Sequence, residues 1–316
     1  VTGDESEDRR PASSDAPSRP SDRVRTAIRS DASRTSAANA QLALLLEVAG
    51  TPKPGNVDRA RDLEDLRFEH FLAGAIGAGD GFRRAERGAR VGSAFERAVA
   101  GMSRQSGGNT QFGCLLLLVP LVSAAARGSL TPDGLERIAA ETTVADAVDF
   151  YRAFEHVDVA VPDPPADLDA LDVRRGAAAA PALRDRDLAL ADVLALSVET
   201  EADDRIPDWN AVEWTTGFER TFAVAESIRT DTGPVGDRAA RAFIGLLADR
   251  PDTLVATAHG PSVAREVSDR AAAVRGDLEA AEALADALVE EGINPGTTAD
   301  AVAAGLFVAL ERGLSV

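Results

Sequence analysis

From Ser36 to Glu311 the apolar residues recur at intervals of three and four, and the interval hardly ever becomes two. That period belongs to helices with one buried stripe, so the chain is predicted to be all-α, a single large bundle of about ten or more helices. No β-hairpin signal and no fixed-period repeat interrupts it. Hydrophobic residues make up 45% of the 316 residues but aromatics only 4%, so the core must be built from Ala, Leu and Val. Small side chains of this kind favour closely packed helices.

The periodicity places helices at Ser36 to Val48, Phe68 to Phe82, Gly88 to Met102 and Cys114 to Ala126, the last broken by Pro120 and Ser123. Thr131-Pro132-Asp133 and Thr143-x-x-Asp146 read as capped helix starts. Further helices are expected near Leu188 to Thr200, Ala211 to Ile228, Gly236 to Ala248, Ser262 to Arg275, Asp277 to Glu290 and Thr298 to Glu311. Residues 1–34, rich in Ser, Asp, Arg and Pro, read as a flexible tail, which leaves 35–316 as the helical domain. A Pro-rich linker near 158–170 joins its two halves.

A formal net charge of −18 would repel nucleic acid and anionic membrane, so neither is an expected partner, and a small anionic ligand would need local arginines. Lys53 is the only lysine, and the Arg bias joined to surplus Asp and Glu suggests a halophilic protein. One cysteine, Cys114, excludes an intramolecular disulfide and a Cys-rich zinc site. A reducing cytoplasm suits that, as does the lack of a signal peptide or of roughly 20 consecutive apolar residues. The Ala- and Gly-rich faces permit a homodimer without requiring one.

Four segments concentrate Gly, Pro and polar residues at helix ends. Thr51-Pro52-Lys53-Pro54-Gly55-Asn56-Val57-Asp58-Arg59 is a stiff loop carrying two cations, suited to polyphosphate or equally to a rigid connector. In Asp62 to His70 the carboxylates Asp62, Asp65 and Glu69 share one helical face, which fits either Mg2+ or a solvated acidic surface. Gly107-Gly108-Asn109-Thr110-Gln111-Phe112-Gly113 and Asn294-Pro295-Gly296-Thr297-Thr298-Ala299-Asp300 each open a helix whose free N–H groups attract anions, although Asn or Thr there also serves as a plain cap. The histidines His70, His156 and His259 have no metal-ligand spacing, and His259 stands out only for following Asp252-Thr253 in a polar segment between helices.

Taken in order, these segments resemble those of the triphosphoribosyl-dephospho-CoA synthase family, with its T-P-K-P-G-x-V-D loop, Asn-Thr-x-x-Gly helix start, Asp-Thr stretch and late Pro-Gly-x-x-Ala-Asp. The resemblance runs from Thr51 to Asp300. It matches Lys53, Gly55 and Asp58, then Asn109, Thr110 and Gly113, then Asp252 and Thr253, then Pro295, Gly296 and Asp300, while Asp65 matches the Asp of a His-x-Asp-Met motif. That motif's His is Leu63 here, and the usual His-Lys after Asn-Thr is Gln111-Phe112.

The resemblance implies an all-helical enzyme that uses ATP and Mg2+, moves the triphosphoribosyl group to dephospho-CoA or a related acceptor, and releases adenine. Lys53 and Arg59, with Gly55, Asn109, Thr110, Gly113, Asp252, Thr253, Gly296, Thr297 and Thr298, are then expected to hold the nucleotide. Asp58, Asp65 and Glu69 are expected to hold the metal, and Asp300, Glu69 and His259 are the candidates for catalysis. A kinase, a nucleoside hydrolase and a non-catalytic nucleotide-binding helical protein are the rival readings. All of them require the distant loops to converge.

Overall fold

A computed structural model describes residue 1 and residues 34–164, 166–198 and 205–316. The tail expected over 1–34 lies outside the described residues apart from Val1 and Arg34, and so does the helix end expected at Thr200. Among the described residues the fold is all-α, with no strand and one isolated bridge between Asp58 and Arg61. No described helix is long and apolar enough to cross a membrane.

One buried apolar cluster runs from Ala37 to Leu310, drawing on both sides of the extended 158–164 stretch. At its centre lies the helix Phe112–Ala126, which continues through Pro120 and buries nearly every side chain. Leu115, Leu117 and Leu118 are fully enclosed there, each contributing roughly 1.5–3 kcal/mol of burial. The C-terminal helix Gly296–Glu311 is buried almost all round and packs against that central helix, the first helix Ser36–Ala49 and Glu219–Thr230. A helix apolar on every face must sit inside the bundle. These two helices therefore bring residues 112–114 and 296–300 into the interior.

Small residues let the helices meet backbone to backbone, as the composition requires. A Cβ on Gly77 would lie 2.2 Å from the Gly101 carbonyl oxygen, and one on Gly101 would lie 2.0 Å from that of Gly77. The helix expected from Phe68 to Phe82 is two, Phe68–Gly77 and Gly79–Glu86, which meet at Ala78 next to that crossing. The helix expected from Ala211 to Ile228 is likewise Trp209–Thr215 and Glu219–Thr230, divided where Gly217 and Phe218 turn left-handed at φ 64° and 63°. The Glu213 carboxylate bridges that break, accepting from the Thr221 amide at 2.9 Å and hydroxyl at 2.6 Å. Residues 253–259, expected to be irregular, form a short helix capped by Asp252.

Candidate active site

The first loop is built around Asp58, which is wholly buried. Its carboxylate accepts from the Thr51 hydroxyl at 2.7 Å, the Lys53 amide at 3.1 Å, the Arg61 guanidinium at 3.1 Å and the Ala60 amide at 2.8 Å. Arg61 extends the network to Glu282 and Asp286 on the helix Leu278–Glu290. Gly55 takes φ 75°, and a Cβ there would meet the Ile293 carbonyl oxygen at 2.2 Å. Only glycine fits a left-handed turn pressed that close to another backbone. The loop at 51–58 is thus locked onto the segment that opens the C-terminal helix.

Lys53 is 1% exposed and lies against Glu47, also 1% exposed, at 2.5 Å; its ammonium also donates to Asn56 Oδ1 at 2.8 Å. Asn56 passes the contact on, donating to Asn294 Oδ1 at 2.8 Å. Burial pushes the Glu47 carboxyl up and Lys53 draws it back down. The expected phosphate-binding ammonium is therefore spent inside the protein, on the one charged residue of the helix Ser36–Ala49.

The other segments meet at Asp300 and Asp252. Asp300 accepts from the Cys114 thiol at 3.1 Å and from Asn210 Nδ2 at 2.8 Å, and a Cβ on Gly113 would lie 2.0 Å from its Oδ2. Burial pushes its carboxyl up to about 7, and the two donors only partly offset this. Burial first, and then Asp300 itself, keeps the Cys114 thiol protonated and able to donate. Asp252 caps its own helix through Leu254 and Val255, and accepts from the Thr298 amide and hydroxyl, both at 2.7 Å. Thr253 accepts from the Trp209 amide at 3.1 Å, tying in the helix that carries Asn210. Lys53, Gly55, Gly113, Asp252, Thr253, Gly296, Thr298 and Asp300 thus belong to one connected assembly.

Other expected members lie elsewhere. Asp65, Glu69 and His259 are exposed; Glu69 pairs with Arg67 at 2.8 Å, and His259 ends its short helix. No group of three His, Cys, Asp or Glu that could hold a metal occurs among the described residues, and Asp58 is filled by protein donors. Asp58, Asp65 and Glu69 therefore do not fit a resident Mg2+. Helical spacing predicts Asp62, Asp65 and Glu69 on one face, but the helix starts only at Phe68, so Asp62 and Asp65 lie in the loop before it, Asp62 accepting from the Phe68 amide at 2.8 Å, and no common face forms. Asn109 caps the Phe112 amide at 3.1 Å, while Thr110 Oγ1 and both amide atoms of Gln111 are buried without a partner. Phe112, where the resemblance has Lys, packs with Phe95 and Phe154 at centroid distances of 5.1 Å and 4.8 Å.

Sequence reasoning missed Glu47, Cys114, Trp209 and Asn210. A lone charge in the helix Ser36–Ala49, six residues before the only lysine, was the available signal for Glu47. Asn210 gave none, since its helix was expected to begin one residue later.

The helix starts at 112, 209, 253 and 296 are tied together through Asp300, Asp252 and Thr253, and an all-α fold with this arrangement belongs to a class of transferases. A family model described as ATP:dephospho-CoA triphosphoribosyl transferase matches residues 33–315. The chain belongs to that family, and it transfers the triphosphoribosyl group of ATP. Among solved structures it is similar to one from Archaeoglobus fulgidus described as a triphosphoribosyl-dephospho-CoA synthase, at 26% identity and a TM-score of 0.63, covering 79% of this chain and 100% of that one. No curated protein matches.

Proposed function

We propose that Asp300 is the base of the transfer and that dephospho-CoA, or a closely related hydroxyl-bearing nucleotide, is the acceptor. The supporting observation is a carboxyl set between Cys114 and Asn210, with its ionisation moved to about 7. A base works best when its pKa lies near the working pH. The acceptor oxygen attacks C1′ of the ribose as the bond from C1′ to adenine N9 breaks with its electron pair. The ionised Asp300 offsets the cationic character of the sugar as the bond to adenine breaks, then takes the hydroxyl proton as the acceptor oxygen bonds to C1′ and passes it to the departing adenine.

The triphosphate rests at the N-termini of the helices beginning at Phe112 and Gly296, assisted by the exposed Arg59. Lys53 supports this indirectly, by holding Asn56 against Asn294. The acidic, arginine-biased composition supports a salt-rich cytoplasm as the working environment.

Incubation of the chain with ATP, magnesium chloride and dephospho-CoA, followed by chromatography, tests the reading. Free adenine and a triphosphoribosylated acceptor are expected in equal amounts. ADP in place of adenine would make the chain a kinase, and adenine without acceptor product would make it a hydrolase.

A further inference from the structure

Beside the Asp300 assembly, the Trp209 indole is flanked by two guanidinium groups, Arg250 at 4.6 Å and Arg220 at 5.8 Å from the ring centroid. Among the described residues, many arginines are ion-paired, as Arg61, Arg90 and Arg270 are. Neither Arg220 nor Arg250 has an ion-pair partner among the described residues, and Arg220 Nε is buried with no acceptor at all. The carboxylates facing Arg220 are Glu213, Asp252 and Asp249, and each is committed elsewhere. Glu213 holds Thr221, Asp252 holds Thr298 and its own helix start, and Asp249 pairs with Arg275.

Those carboxylates supply charge near Arg220 but no acceptor for its Nε, and a buried donor without an acceptor is costly until one arrives. Burial makes Arg220 release its proton more readily than usual; Glu213 opposes this and the neighbouring Arg250 adds to it. The platform is firmly seated, because Trp209 Nε1 donates to the Pro251 carbonyl at 2.9 Å and its amide donates to Thr253. The next residue, Asn210, holds Asp300.

We infer that Arg220 and Arg250, braced on Trp209, form an anion subsite that takes the diphosphate of the acceptor while the acceptor hydroxyl lies at Asp300. Guanidinium forks match diphosphate oxygens, and Trp209 keeps the forks in place without using their N–H groups. The inference rests on the acceptor reading above, and it separates the acceptor's anchor from the loops at 51–58 and 294–300.

The test combines kinetics on Arg250→Gln, an exposed position that leaves the core untouched, and Arg220→Gln with binding of inorganic pyrophosphate by titration calorimetry. Both variants are expected to raise KM for dephospho-CoA about ten-fold or more, the loss of one charged hydrogen bond, with KM for ATP unchanged. Pyrophosphate affinity falls in parallel, and Arg250→Lys recovers it only in part. Wild-type values for both the acceptor and pyrophosphate, or an increase in the KM for ATP in place of the acceptor's, would overturn the assignment. If the wild-type chain makes no product with dephospho-CoA, the acceptor reading fails by itself. Pyrophosphate binding then decides the subsite, sustained if Arg250→Gln abolishes it and refuted if it persists.

Discussion

At the scale of single residues, two buried carboxylates differ in what they do. Asp300 titrates near 7, so the transfer rate is expected to rise with pH through about 7 and then level. Asp300→Asn should remove that rise and lower kcat roughly 10²- to 10⁴-fold. The same group affects folding. Between the ordinary carboxylate range and about 7 the folded chain keeps a proton that the unfolded chain has lost, so stability falls as pH rises through that window. At pH 8 Asp300→Asn is therefore expected to gain roughly 1 kcal/mol or more, read by denaturant titration. A variant both inactive and less stable at that pH would show Asp300 to be structural.

Glu47 carries the opposite expectation, because Lys53→Ala strands its carboxylate in the core. That change should cost about 3–5 kcal/mol, and Lys53→Met combined with Glu47→Gln should recover part of it. Full stability in Lys53→Ala would mean the ammonium is free for substrate, as its sequence setting suggested.

At the scale of elements, the site depends on helix ends meeting at distances only glycine allows. Gly113→Ala would put a methyl group 2.0 Å from Asp300 Oδ2, so the carboxyl must move or the central helix must shift. Activity is expected to fall at least about 100-fold, the penalty of misplacing a reacting group by about 1 Å. Near-wild-type turnover would show that Asp300 is free to move without consequence. Most helices could be read from their period and caps, Thr131 and Thr143 among them. The two misread helices break for reasons the period does not carry. One is divided beside the backbone crossing at Gly77, and the other at a left-handed turn whose second residue, Phe218, is no glycine.

At the scale of the whole molecule, 52 acidic residues against 34 basic ones leave a surface that repels itself. Raising ionic strength from about 0.1 M to about 1 M shortens the screening length from roughly 10 Å to roughly 3 Å. The melting temperature is therefore expected to climb with potassium chloride, as scanning calorimetry would show. A flat or falling curve would mean that the arginine pairs, such as Arg270 with Glu291, contribute more than the net repulsion costs.

The helical class, the small-residue core and the four motif segments are properties of spacing and composition, and the linear chain carries them in full. What each charge is for depends on which side chains arrive beside it from distant parts of the chain. Packing spent Lys53 on Glu47, closed Asp58 within its own loop and left Asp65 and Glu69 in water. It also placed Cys114 and Asn210 around Asp300 and set two arginines against Trp209. Burial and neighbouring charge decide whether an ionisable group is a strut, a base or a binding site, and both are fixed only when the chain closes on itself.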